Sequence, residues 1–285
     1  MTIPQIPPLL FVGLFLLAAC SRKNVETLMP VGLKEENKIT IEKGNLKVVF
    51  VDNVAFGAEH RAGYNGIAEL YHRANDSTIF VPQYAGFNLE HVFGGDSLVQ
   101  LFEPRLHPMK LFRKGENQIV LYQEATPLSG VESLTTFTVH DPDYIEVQFE
   151  CILHNDQFFK HGYAGLFWAS YIHKPQDKRI YFLGTEEGQQ DVAWIEAYSE
   201  KHGTKSTHRS LKDNNNFYFA ENFNATLASH YSGYRYAFPF YYGRFGNMAM
   251  AFLFESEEII RFSQSPTGGG QDSPAWDFQY IIPSP

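Results

Sequence analysis

The sequence predicts an all-β protein, a large antiparallel two-layer β-sandwich of the supersandwich kind. Three observations predict it. Short apolar or alternating runs recur about every ten residues from residue 38 onward, the spacing of strands separated by turns. No repeat period and no long low-complexity linker divides the chain, so these runs belong to one domain, whose 15% of aromatic residues is an excess beyond what a core explains. Only residues 190–201, with Gly203 near their end, offer a helix-length pattern.

Taken in order, the chain opens with residues 1–8, which lack Lys and Arg, and an unbroken apolar run at 9–19. That run has the length of a signal-peptide core and is too short to span a bilayer. It ends in Leu17-Ala18-Ala19-Cys20, which resembles the lipobox of bacterial lipoproteins. The resemblance implies that residues 1–19 are removed and that Cys20 becomes a lipid-bearing first residue. Several acyl chains, at roughly 0.8 kcal/mol per buried methylene, make such an anchor stable. Ser21 stands where lipoproteins of the inner membrane commonly carry Asp. The expected address is therefore the outer membrane, on its periplasmic or surface face.

Residues 20–37, polar and interrupted by Pro30 and Gly32, read as a tether, and residues 38–285 as a single domain. Strand runs follow at 39–42, 46–54, 68–73 and 118–123. The clearest hairpin joins 134–139 to 144–153 through His140-Asp141-Pro142-Asp143, where Asp and Pro favour a turn. Further runs at 166–173, 178–183, 234–242, 248–254 and 259–263 complete the pattern. One sheet of a dozen or more strands would split into two packed layers.

The formal net charge of −9 argues against nucleic acid as a partner. With Cys20 lipidated, Cys151 would be the only thiol, which excludes an intrachain disulfide. Its place in the alternation Ile145, Val147, Phe149, Cys151, Leu153 puts it on the apolar face of a strand. No phosphate-binding glycine loop, dinucleotide fingerprint, Gly-x-Ser-x-Gly elbow or metal-ligand pair occurs. No metal or organic cofactor is implied. Gly268-Gly269-Gly270 reads as a flexible loop.

The most informative stretch is His60-Arg61-Ala62-Gly63-Tyr64-Asn65-Gly66-Ile67-Ala68, followed by Tyr84-Ala85-Gly86-Phe87-Asn88-Leu89-Glu90-His91-Val92-Phe93-Gly94-Gly95. It resembles the aldose 1-epimerases (galactose mutarotases), which carry Gly-Arg…Asn-Arg-Ile-Ala and then Asn-x-Gly-x-Asn-x-Leu-His-Gly-Gly. Asn65, Ile67, Ala68, Gly86, Asn88, His91, Gly94 and Gly95 match, with an echo in His161-Gly162-Tyr163-Ala164-Gly165-Leu166. The resemblance implies a β-supersandwich and acid/base chemistry on a sugar. Two departures stand beside it. Val92-Phe93 separates His91 from the glycine pair, and no Pro-Gly-Glu turn supplies the family's base near Trp276-Asp277-Phe278-Gln279.

Candidate acid/base groups are His91, read as lying in a Gly-rich loop, with His60, Glu90 and the strand-end His154. Candidate sugar-binding residues are Arg61, Asn65, Asn88, Arg105, Trp168, His173, Tyr241 and Tyr242. Aromatic rings stack on the C–H faces of pyranoses while Arg, Asn and His donate to hydroxyls. A second aromatic cluster, from Tyr231 to Tyr242, has Arg235 and Arg244 nearby. Arg105 could clamp a uronic acid, or simply pair with a carboxylate such as Glu103. The reaction stays open among epimerisation, glycoside hydrolysis and β-elimination. A glycan-binding surface lipoprotein without catalysis and a structural envelope protein are the alternatives.

Overall fold

Period-two burial builds nearly every element of the chain. The structure, a computed structural model, describes residues 10–21, 27–54, 63–82, 86–94, 102–155, 160–221, 223, 230–256 and 260–283. The side chains of residues 10, 11 and 17–21 lie outside that description. Strand β1 (Leu10–Ser21) precedes β2 (Lys38–Lys43), β3 (Leu46–Val51), β4 (Gly66–His72) and β5 (Phe87–Phe93). The one helix among the described residues, α1 (Glu103–Leu106), is a single turn. A meander follows in β6 (Met109–Arg113), β7 (Gln118–Gln123), β8 (Val131–His140) and β9 (Tyr144–Leu153). The remaining strands are β10 (Tyr163–Ser170), β11 (Ile180–Glu186), β12 (Ala193–Ala197), β13 (Thr207–Ser210) and β14 (Tyr231–Tyr236). They continue with β15 (Phe240–Phe245), β16 (Met248–Phe254), β17 (Ile260–Gly270) and β18 (Ser273–Pro283). The all-β class is as the sequence predicts, in a nearly closed, barrel-like sandwich.

The main core lies between the layers. Trp168 stacks on Phe278 at 5.5 Å and meets Phe149 edge-on at 4.7 Å. Phe50, Phe87 and Phe137 from the first half join Phe252, Phe254 and Phe262 from the second. A smaller cluster, with Tyr64, Phe93, Tyr163, Phe167, Tyr171 and Phe223, packs on the other face of the β10–β18 pair.

Several expectations are corrected. Residues 190–201 contain no helix; β12 pairs antiparallel with β11. Trp194 and Ile195 fit a strand better than a helix, and Ile195 and Ala197 alternate inward while Trp194 is exposed. Gly268 and Gly269 are not a loose loop but part of β17. A Cβ there would sit 2.4 Å from Ala275 and 2.7 Å from Val81, respectively, so the glycines permit close backbone packing. The tether is strapped down from Thr27. Its Oγ1 donates to Glu132 at 2.7 Å, Leu28 N does the same, and Glu35 bridges to Phe112.

The N-terminal apolar run is also placed as a strand. β1 inserts between β9 and β16, parallel to both. Val12, Leu14 and Leu16 are buried in the core. Its register places Cys20 opposite Cys151, and Cys151 is disulfide-bonded in a chain of two cysteines.

His208 on β13 carries a pH prediction. It is buried against Phe182, with Nδ1 2.6 Å from Ser232 Oγ. Burial pushes its imidazole from 6.5 down to about 3. The unfolded chain binds a proton there that the folded chain refuses. The His208 contribution is therefore complete above pH 6.5 and is lost as pH falls toward about 3, at up to about 1.4 kcal/mol per pH unit. Urea unfolding across that window should show the slope, and His208→Asn should flatten it. An unchanged slope in the variant would assign the effect elsewhere.

Candidate functional site

Strand alternation sends one set of side chains from the β5–β10–β18–β17–β13–β14–β11 sheet into the core and the other to the opposite face. On that second face, register pairing aligns one transverse row. His91 pairs with Phe167, Phe167 with Gln279, and Gln279 with Arg261. Arg261 in turn pairs with Arg209, Arg209 with Arg235, and Arg235 with Thr185. Paired residues point to the same side of a sheet. The row is polar over most of its length.

One end is a buried acid/base cluster. The register shifts between β5 and β10 so that Leu89 opposes Trp168 while His91 opposes Phe167. Glu90 is the extra residue of this bulge, and bulges re-aim side chains. Glu90 and His91 consequently both serve the polar face. Arg105 Nη1 donates to Glu90 Oε1 at 2.8 Å, and the Tyr171 hydroxyl donates to the same carboxylate at 2.8 Å. His91 Nε2 lies 3.7 Å from Glu90 Oε2, its ring 4.4 Å from Phe102 and 5.3 Å from Phe167. The Arg105 guanidinium also sits 4.0 Å over Tyr64. Pro104 lies in the first turn of α1, which presents Arg105.

Asp277 completes this end. It is fully enclosed and accepts from Ser170 N at 2.8 Å. Burial pushes its carboxyl well above the carboxylate range, and the Glu90 charge adds to the effect. Burial and Glu90 likewise raise the Tyr171 hydroxyl, which stays a donor. A carboxyl that burial disfavours in its charged form is thus held on the same face as one clamped by Arg105, an arrangement suited to acid/base work. Beside it, both amide atoms of the buried Gln279 lack a hydrogen-bond partner among the described residues.

The other end opens outward. Arg261 Nε donates to Asp213 at 2.8 Å and Nη1 to the Tyr231 hydroxyl at 3.0 Å. Next to it a cleft of about 540 Å³ is lined by Thr185, Gln189, Arg209, Tyr231, Tyr234 and Arg235, among others.

The structure brings His91, Glu90 and Arg105 together, with Asn88 buried on the same face and its Nδ2 3.5 Å from Ala169 O. The partner of Arg105 is Glu90, not Glu103, whose carboxylate accepts from Leu128 N and Ser129 N. His91 lies on a strand and not in a loop. His60 and Arg61 lie outside the described residues. Asn65 clamps β5, exchanging hydrogen bonds with Leu89 N and O at 3.2 and 3.1 Å.

The other candidates sit apart. His154 pairs with Glu132 at 2.7 Å, in a cluster with Tyr122. His173 follows β10, its imidazole pushed down by burial and Lys174. Trp168 and Tyr241 belong to the core; the Tyr241 hydroxyl donates to Trp276 O at 2.8 Å. Tyr242 stacks on Tyr181 and lines an apolar groove with Phe15, Tyr144, Trp194 and Phe240. Tyr171, Asp277, Gln279, Arg261 and Arg209 were not candidates. The alternation Trp276, Asp277, Phe278, Gln279, Tyr280 was a readable signal for two of them, a strand with one aromatic and one polar face.

Among the described residues, no group of three or more His, Cys, Asp or Glu is arranged to hold a metal ion. No family model, curated protein or solved structure matches the chain.

Proposed function

We propose that the protein is a lipid-anchored envelope protein that binds a carbohydrate along the polar row and acts on it with Glu90, His91 and Asp277 as acid/base groups. The observation that carries the reading is the row itself. Buried donors and acceptors at one end are continuous, strand by strand, with an open Tyr- and Arg-lined cleft at the other. Sugar sites combine aromatic walls with a few placed polar groups in this way. The motif resemblance to aldose 1-epimerases falls on β4 and β5, and β5 carries the His91 end of the row.

The anchor reading rests on the lipobox. β9 keeps its hairpin with β8, and β16 its hairpin with β15, without β1. Removal of residues 1–19 would take away the two parallel pairings of β1, with β9 and with β16, and leave the antiparallel pairings in place. Lipidation of Cys20 would leave Cys151 with no second cysteine in the chain to pair with. Intact-mass analysis of membrane-extracted protein should find a lipidated chain starting at Cys20. A chain retaining residues 10–19 would contradict the anchor.

The function itself is tested by a panel of mono- and oligosaccharides, read by thermal shift and by reducing-sugar, unsaturated-product and mutarotation assays. Silence across the panel would sink it. For any turnover found, His91→Gln should lower kcat by about 10²–10⁴. One observation favours a binding role without catalysis: both Glu90 oxygens are already engaged. In that case ligand would bind with no product, and His91→Gln would change affinity alone.

A further inference from the structure

We propose that the open end of the row is an anion subsite, built by Arg209 and Arg235 on the Tyr231 wall, that takes the carboxylate or sulfate of an acidic sugar. The sugar part rests on the carbohydrate reading above; the anion part rests on the side chains alone.

Arg261, Arg209 and Arg235 occupy consecutive register positions on neighbouring strands. Like charges directly opposite one another in a sheet repel, so such a row needs counter-charge. Asp213 supplies it to Arg261, through Nε at 2.8 Å. Arg235 reaches only neutral acceptors among the described residues, the Asp213 carbonyl and Asn214 Oδ1 at 3.3–3.4 Å. Its Nε is buried with no hydrogen-bond partner among the described residues. Arg209 is held by stacking, its guanidinium 3.9 Å over the Tyr231 ring. Burial and the Arg209 charge push the Arg235 guanidinium below its ordinary value, and the Asp213 charge offsets this only in part.

A guanidinium fork matches a carboxylate or sulfate with two parallel hydrogen bonds. Tyr231 and Tyr234 line the same cleft as Thr185 and Gln189, giving a ring wall and hydroxyl-binding groups. Glu186 and Glu187 also line it, and both are exposed. They stand at the solvent side and select against an anion placed too far out.

The test compares a galacturonate tetramer with its carboxyl-reduced neutral counterpart by calorimetry, alongside sodium sulfate against chloride at equal ionic strength by thermal shift. The acid should bind at least about tenfold tighter than the neutral tetramer, and sulfate should raise the melting temperature. Arg209→Gln with Arg235→Gln should remove both effects; Arg235→Lys, which keeps charge but loses the fork, should weaken the preference without disturbing the fold. Equal binding of the two tetramers overturns the anion subsite and leaves the carbohydrate reading standing. Binding of neither tetramer counts against the carbohydrate reading, and sulfate then decides the subsite. A shift lost in the double variant supports it, while no shift, or one that persists, overturns it.

Discussion

Arg261→Met should cost about 3–5 kcal/mol of unfolding free energy. The guanidinium is 1% exposed, in the middle of the row, and holds the equally buried Asp213 at 2.8 Å. It also donates to Tyr231 and to the Asn215 carbonyl. Removing it leaves the buried Asp213 carboxylate without its direct ion-pair partner, with Arg235 as the remaining nearby cation, the costly half of a broken buried pair. The methionine fills much of the space, so the loss reports electrostatics more than a cavity. Replacing both partners, Arg261→Met with Asp213→Leu, should recover a large part of the stability. A single-variant loss below about 1 kcal/mol in urea titrations would show that the pair behaves as a surface pair.

At the other end, Arg105→Met should cost a similar 3–5 kcal/mol or so. Glu90, itself buried, would keep the Tyr171 hydroxyl and the nearby imidazole as its partners among the described residues. Glu90→Gln in the Arg105→Met background should restore stability, since the amide needs no counter-charge. The outcomes separate structure from function. If the doubly substituted protein is stable and still binds or turns over sugar, the Glu90–Arg105 pair is scaffolding. Stability regained with function lost places the pair in the working site. A loss below about 1 kcal/mol for Arg105→Met would contradict the burial argument.

Much of the fold was legible because alternation is a local signal. Ile145 to Leu153 announced β9, and the run from Met248 to Phe254 gave β16 at its observed bounds. Residues 190–201 misled, because polar residues spaced near a helical period outweighed Trp194 and Ile195 until β11 supplied a partner strand. The site was legible only in its first part. His91, Glu90 and Arg105 could be named from motif and residue type. The bulge that turns Glu90 and His91 to one face depends on register between β5 and β10, far apart in sequence. Likewise Arg209, Arg235 and Arg261 are unremarkable until β13, β14 and β17 align them. Trp168 and Tyr241 were misjudged as ligand walls since an aromatic side chain does not reveal which layer it faces. Tyr171 shows the reverse: its face was readable from Phe167, but its hydrogen bond to Glu90 was not.

The account stands or falls on whether a carbohydrate occupies the row. Hydrogen–deuterium exchange, with and without the tightest-binding oligosaccharide of the panel, measures this most directly. The prediction is protection concentrated in β5, β10, β18, β17, β13 and β14, with β2, β7 and β8 unchanged. Protection confined to the groove around Trp194 and Tyr242, or no protection with any sugar at saturating concentration, would contradict it.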